Sequence, residues 1–158
     1  MFVSNLPYNA GNAILEQVYR SHHAPRHFIV MVQKEVGDRM MAAPGEMSVL
    51  SVATQLYCSV ERVCLVPPTA FVPPPQVDSV VLRLVPRTDR IDNIEAVIAL
   101  AKIGFAHRRK QLRQTLASSG IATLETIDAA FEKCSLGRMV RPQELSLEQW
   151  ISLQSIVC

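Results

Sequence analysis

The sequence predicts an α/β protein in which a partial sheet with its helices is followed by a small all-helical domain. Apolar runs of strand length alternate with helical patterns up to about residue 85, which is typical of α/β sheets. From residue 93 onward apolar residues recur at helical spacing, and no convincing strand follows. We therefore predict two domains, at residues 1–88 and 89–158, with the boundary in the polar stretch 86–92.

The first domain is predicted to contain four strands separated by helices. The apolar runs that predict strands lie at residues 2–4, 27–32, 59–66 and 80–85. The helical patterns lie at residues 13–19, 34–41 and 48–57. The run at 27–32 is almost continuously apolar, which predicts a strand covered on both faces.

A proline-dense segment, residues 67–75, connects the last two predicted strands. Because each proline fixes its own φ angle, the segment is expected to be stiff and extended. It carries a single aromatic residue, Phe71. A stiff loop that holds one aromatic ring suggests that the ring is positioned for a ligand, although a rigid strand connector is the alternative.

The helical domain has recognisable helix boundaries. A first helix is predicted from Asn93, and Gly120 is expected to end the next one because glycine favours the left-handed conformation after a helix. A third helix is predicted at residues 123–133. Ser146 and Gln149 have the spacing of a capping box and predict the start of a last helix.

The basic charge of the chain is concentrated in its second half. Residues 1–80 have a net charge of −1 and residues 81–158 a net charge of +3. A short run, Arg108, Arg109 and Lys110 with Arg113, contributes much of this charge. If the run is helical, Arg109, Lys110 and Arg113 share one arc, which suits phosphate contacts. An ordinary solvated helix face is the alternative.

Composition excludes several classes of protein. Hydrophobic residues make up 49% of the chain, but no apolar run reaches the length needed to span a bilayer. No secretory signal pattern is present, so we expect a cytoplasmic protein without a membrane partner. The cysteines form no Cys-x-x-Cys pair and lack zinc-ligand spacing with the histidines, so neither a metal site nor a disulfide is predicted.

The segment Asn5-Leu6-Pro7-Tyr8 follows the first predicted strand. It matches the Asn/Asp-Pro-Pro-aromatic type of motif found in methyltransferases that act on exocyclic amines. The Asn5 side chain and a backbone carbonyl, that of Leu6, can accept the two hydrogens of an amine, while Pro7 stiffens the turn and Tyr8 stacks on a base. The alternative is an ordinary strand-to-helix turn with a core tyrosine.

Seven further segments, in fixed order, resemble the ribosomal RNA adenine dimethyltransferase family. They are residues 31–39 (MVQKEVGDR), 48–52 (SVLSV) with Gln55, 66–68 (VPP), 71–75 (FVPPP), 77–84 (VDSVVLRL), 105–113 (FAHRRKQLR) and 141–146 (RPQELS). The resemblance covers essentially the whole chain. It identifies the first domain as the C-terminal part of a Rossmann-like, S-adenosylmethionine-dependent methyltransferase sheet.

The resemblance implies dimethylation of the exocyclic amines of adjacent adenines in small-subunit (16S) ribosomal RNA during ribosome assembly. The cofactor would be S-adenosylmethionine, and the partner a precursor of the small ribosomal subunit. Asn5 and the Leu6 backbone would orient the amine, with Asn5 also touching the cofactor. Tyr8 and Phe71 would stack on the base. Arg108, Arg109, Lys110 and Arg113 would contact RNA.

The family's cofactor pocket is built mainly before its Asn-Leu-Pro-Tyr segment, and its glycine-rich loop is not found here. The six glycines form no Gly-x-Gly pattern. We therefore expect a truncated form whose activity on its own is doubtful. Two alternatives remain open: a large-subunit ribosomal RNA methyltransferase of the antibiotic-resistance type, and a non-enzymatic RNA-binding or assembly fragment.

Overall fold

The computed structural model describes residues 1–6, 14–15, 17–18, 25–89 and 91–157. The chain divides into two compact units. The first comprises Met1–Met41 and Tyr57–Arg90, and the second comprises Ala42–Leu56 and Ile91–Cys158. Among the described residues, no helix has the length and apolar character needed to cross a membrane.

Within the part of the chain that the structure describes, the first unit contains a four-stranded mixed sheet. Its strands are β1 (Phe2–Asn5), β2 (Phe28–Gln33), β3 (Cys58–Val66) and β4 (Ser79–Pro86), in the spatial order β1-β2-β4-β3. β1 and β2 are parallel, whereas β4 is antiparallel to both β2 and β3. The carboxyl ends of β1, β2 and β3 therefore lie at the same end of the sheet as the start of β4. The predicted α/β class is confirmed.

On the two central strands, β2 and β4, one face of the sheet is fully buried. The side chains that form it on the two central strands are Phe28, Val30, Val32, Val80, Leu82 and Leu84. Helix α1 (Lys34–Met40) packs on this face, and a Cβ atom at its Gly37 would collide with Val80 Cγ1. Glycine is needed there because the helix approaches the sheet so closely.

The opposite face of the central strands is only half-buried among the described residues. Along β2 burial alternates, with Ile29, Met31 and Gln33 partly exposed. The strand is therefore fully buried on one face and only partly covered on the other. Side chains alternate between the faces of a strand, and apolar residues occupy both faces of β2, so hydrophobicity alone did not reveal the difference.

The second unit is helical. Its helices are α2 (Val49–Tyr57), α3 (Ile94–Phe105), α4 (Leu112–Ser119), α5 (Leu124–Lys133) and α6 (Leu147–Val157). Trp150 is fully buried, and its ring stacks on Phe105 with centroids 5.6 Å apart. Gly104 leaves room for this packing, because a Cβ there would lie 2.6 Å from Trp150 Cη2 and 2.8 Å from Leu112 Cδ1.

Helix boundaries in this unit agree with the predicted signals. The Ser146 backbone N–H donates to Gln149 Oε1 at 2.9 Å, and the Gln149 N–H donates to Ser146 Oγ at 3.2 Å, which confirms the capping box. The Thr123 hydroxyl caps α5 by accepting from the Thr126 N–H. Gly120 ends α4 with a φ of 73°.

The segment Ala42–Leu56 belongs to the second unit, which differs from the predicted single boundary after residue 88. The Gln143 carbonyl accepts hydrogen bonds from the backbone N–H groups of Gly45 (2.7 Å) and Met47 (3.2 Å). Met47 is also buried. These bonds span almost 100 residues of sequence, so no local pattern could have indicated them.

Candidate functional site

Asn5 and Leu6 stand at the carboxyl end of β1. The Leu6 N–H donates to the Met31 carbonyl at 3.1 Å, so the ladder with β2 continues one residue beyond the strand. The Leu6 side chain is only 2% exposed, whereas Asn5 is exposed. The backbone is thus fixed while the carboxamide of Asn5 stays accessible. Pro7 and Tyr8, which the sequence also singled out, lie outside the described residues.

The proline-dense loop starts with a short 3-10 helix, Pro68–Ala70. The Phe71 N–H donates to the Pro68 carbonyl at 3.1 Å, and the Phe71 ring is half-buried. The next residue, Val72, is fully exposed. At the end of the loop, the Asp78 carbonyl accepts from the Lys34 N–H at 2.9 Å, which ties the loop to the start of α1. Phe71 therefore sits on a loop anchored at both ends.

The strand register brings these two regions to one end of the sheet. Asn5 pairs with Met31 on β2, and two residues later Gln33 pairs with Ser79 at the start of β4. Ser79 also pairs with Val66, the last residue before the proline-dense loop. The accessible Asn5 and the start of the loop that carries Phe71 thus lie at the same end of the sheet, the end at which ligands bind in open α/β sheets.

Gln33 lies at the same edge, and sequence reasoning did not single it out. It occupies the residue before α1, yet its side chain makes no capping hydrogen bond. Because side chains alternate along a strand, Gln33 and Met31 lie on the same face of the sheet. Asn5 pairs with Met31 on the neighbouring strand, so Asn5 lies on that face as well. The signal available in the sequence was a carboxamide at the end of an otherwise apolar strand, FIVMVQ.

The basic run occupies a turn, not a helix. Helix α3 ends at Phe105 and α4 begins at Leu112, so Arg108, Arg109 and Lys110 lie between them, and all three are exposed. The predicted helical arc of cations is therefore wrong. The turn is stabilised by a bond from the Lys110 N–H to the His107 carbonyl at 2.8 Å.

Arg113 has a partner that the sequence did not reveal. Its guanidinium binds both carboxylate oxygens of Asp128, at 2.5 and 2.7 Å, and thereby links α4 to α5. Hydrogen bonding to Arg113 lowers the pKa of Asp128, and the same contact raises the pKa of Arg113. The planar fork of arginine is occupied by this pair, so the structure does not support Arg113 as an RNA contact.

Comparison with protein families and curated sequences gives one consistent result. Residues 1–156 match a family model described as "Ribosomal RNA adenine dimethylase". Ribosomal RNA small subunit methyltransferase A of Rippkaea orientalis is 38% identical over 164 residues, covering 98% of this chain and 60% of that protein. The protein of the same name from Thermosynechococcus vestitus is 39% identical over 164 residues, with 98% and 61% covered. The chain spans about three-fifths of the length of these relatives.

Two solved structures share the fold. A dimethyladenosine transferase from Plasmodium falciparum superposes with a TM-score of 0.81 at 23% identity, covering 96% of this chain and 65% of that one. The 23S rRNA methyltransferase ErmE superposes with a TM-score of 0.76 at 22% identity, covering 99% and 64%. Each covers both units of the chain.

Proposed function

Because the chain belongs to the ribosomal RNA adenine dimethylase family, we propose that it takes part in dimethylating adjacent adenines of small-subunit ribosomal RNA. One observation carries the proposal: the strand register places the exposed Asn5 and the loop that holds Phe71 at one end of the sheet. The partner is a precursor of the small ribosomal subunit, and the compartment is the cytoplasm.

The main chemical task at such a site is to activate a poor nucleophile. The lone pair of the adenine amine is delocalised into the ring, so the nitrogen must become tetrahedral before it can form a bond to carbon. The Asn5 side-chain oxygen and the Leu6 carbonyl would accept the two amine hydrogens and favour that geometry. Because the bond to Met31 fixes the Leu6 backbone, these acceptors need little reorganisation during the reaction.

No general base is required for proton removal. Once the amine nitrogen has gained a methyl group it is cationic, and its proton is acidic enough to pass to water. Repeating the reaction on the same nitrogen gives the dimethylated product. The site would therefore act through positioning and electrostatics.

Phe71, together with Tyr8, would hold the target base by stacking. Enzymes that modify a base extrude it and commonly bind it between aromatic or apolar side chains. Phe71 is half-buried, and its backbone N–H donates to the Pro68 carbonyl. This arrangement suits a base that must be held in one orientation.

S-adenosylmethionine supplies the methyl group when it is bound. The residues present fit this group only in part: Asn5 is an exposed polar group at the carboxyl end of the parallel pair β1 and β2, where such ligands bind. Asn5 is the residue that we propose for this contact.

The proposal is tested by methylation of small-subunit precursor particles with S-adenosylmethionine, followed by mapping of the methylated adenines. With the family's N-terminal cofactor-binding part joined to the chain, we expect dimethylated neighbouring adenines in small-subunit RNA and a large loss with Asn5→Ala. Methylation confined to large-subunit RNA would instead favour the antibiotic-resistance type. RNA binding without any heat of cofactor binding in calorimetry would favour an assembly module.

A further inference from the structure

Gln33 ends β2 next to the point where the proline-dense loop rejoins the sheet. It pairs with Ser79 at the start of β4, and the backbone N–H of the next residue, Lys34, donates to the Asp78 carbonyl at 2.9 Å. The backbone around Gln33 is therefore held both by the sheet and by the end of the loop. A side chain at this position starts from a fixed point at the ligand-binding end of the sheet.

The carboxamide of Gln33 is available for a ligand. It forms no capping hydrogen bond to α1, and no other partner for it occurs among the described residues. The residue before a helix commonly caps it through a short side chain such as serine or aspartate, which glutamine is not. Gln33 is also partly buried, and leaving a partly buried amide without a partner is unfavourable.

Asn5 and Gln33 lie close enough to bind the same ligand. Asn5 pairs with Met31, and Gln33 follows two residues later on the same face of β2. The spacing of neighbouring strands and the rise along a strand place the Cα atoms of Asn5 and Gln33 about 8 Å apart. Two hydrogen bonds of about 2.9 Å to adjacent atoms of one heterocycle fit between carboxamides at this separation.

We propose that Gln33 is a base-binding residue whose Nε2 donates a hydrogen bond to a ring nitrogen beside the amine of the target adenine. The proposal rests on the proposed function and adds a contact to it. The Asn5 side chain and the Leu6 carbonyl take the two hydrogens of the amine, so the neighbouring ring nitrogen still requires a donor. The glutamine carboxamide supplies one, and it is a common partner of adenine in nucleic-acid recognition.

This contact favours adenine over guanine and uracil. Adenine has an acceptor nitrogen on each side of its amine, N1 and N7. Guanine and uracil have a carbonyl oxygen in place of that amine, which would face the acceptors supplied by Asn5 and Leu6, and each carries a hydrogen on the adjacent ring nitrogen of its pairing edge. Polar groups left unpaired in this way lower affinity. Gln33 therefore contributes to the choice of base, which phosphate contacts cannot do.

The test is a thermodynamic cycle between Gln33 and the ring nitrogen, measured as binding of a short RNA hairpin to the chain without cofactor. The loop of the hairpin contains two adjacent adenines, and two further hairpins carry 1-deazaadenine or 7-deazaadenine there, in which a C–H replaces the ring nitrogen. We expect one replacement to weaken binding to the wild type about 3- to 10-fold, the contribution of one hydrogen bond. Gln33→Ala should bind the unmodified hairpin that weakly and lose nothing further on the same replacement.

A second variant and a control complete the experiment. Gln33→Glu keeps the size of the side chain but has no N–H donor, so it should lose the same contact as Gln33→Ala, and a carboxylate is compatible with the start of a helix. Either variant closes the cycle if the other does not fold. The matched control is Gln114→Ala, which removes the same side chain from an exposed position of α4 in the other unit. This control should retain the full effect of the deaza replacement.

The proposal is overturned if the wild type and a folded Gln33 variant, each with a native circular dichroism spectrum, respond equally to both deaza hairpins. A wild-type chain that binds no hairpin also overturns it. If the cycle shows coupling but no adenine is methylated in the mapping experiment, the contact of Gln33 is upheld and the proposed function fails. Methylation at the expected adenines without coupling refutes the role of Gln33 alone.

Discussion

Replacing Gly104 by alanine tests the packing beneath the turn at 106–110. Glycine inside a helix costs roughly 0.5 to 1 kcal/mol relative to alanine, so helix propensity alone predicts that Gly104→Ala stabilises the protein. The structure predicts the opposite, because the added methyl would lie 2.6 Å from Trp150 Cη2 and 2.8 Å from Leu112 Cδ1. Both neighbours are fully buried. Overpacking of this kind costs about 1 to 3 kcal/mol.

We therefore expect Gly104→Ala to lower the free energy of unfolding by up to about 2 kcal/mol, the overpacking cost less the gain in helix propensity. Urea denaturation monitored by the fluorescence of Trp150 measures it. The matched control is Gly137→Ala: a Cβ there meets nothing within 4 Å, so the variant should be neutral or slightly more stable. If Gly104→Ala were more stable than the wild type, as helix propensity alone predicts, the close packing of α3 against Trp150 would be refuted.

Three other predictions concern the site and its support. In a version with the family's N-terminal cofactor-binding part restored, Asn5→Ala should lower the methylation rate much more than it weakens RNA binding, because the contact strengthens toward the transition state; equal losses in single-turnover rate and affinity would contradict this. Phe71→Ala should weaken retention of the target adenine by about 1 to 3 kcal/mol, and Phe71→Tyr should be mild; a wild-type result for Phe71→Leu would indicate packing instead of stacking. The pKa of Asp128 is lowered in the fold by Arg113, so its contribution to stability is present above the ordinary value of 3.8 and is lost as the pH falls below it. Asp128→Asn should therefore flatten the acid limb of the stability profile, and an unchanged limb would contradict the pairing.

Local sequence patterns predicted most of the helices and their ends. The spacing of apolar residues after Asn93 matches α3, and the Ser146 and Gln149 pair matches the observed capping box. These features depend on residues within one or two helical turns, so the sequence contains the whole signal. The strands were found for the same reason, as short apolar runs.

Features that depend on distant partners were not predictable in this way. The sequence predicted a helical arrangement of the basic run. In the structure the run is a turn, and the Leu112 N–H at the start of α4 donates to the carbonyl of Val140, 28 residues later. Arg113 looked like a free cation because Asp128 lies 15 residues away. The likeness of residues 71–75 and of Asn5 to family motifs indicated the candidate site, while its placement at one end of the sheet required the strand register.

The two hydrogen bonds to the Gln143 carbonyl limit the order in which parts of the chain can fold during synthesis. The chain enters the second unit at Ala42, returns to the first at Tyr57 and enters the second again at Ile91. During translation the segment Ala42–Leu56 is made about 90 residues before Gln143. The hydrogen bonds from the N–H groups of Gly45 and Met47 can therefore form only after Gln143 has been synthesised. Neither unit can be released by a single proteolytic cut, and separate expression of the helical unit requires Ala42–Leu56 to be joined to the C-terminal segment by an engineered linker.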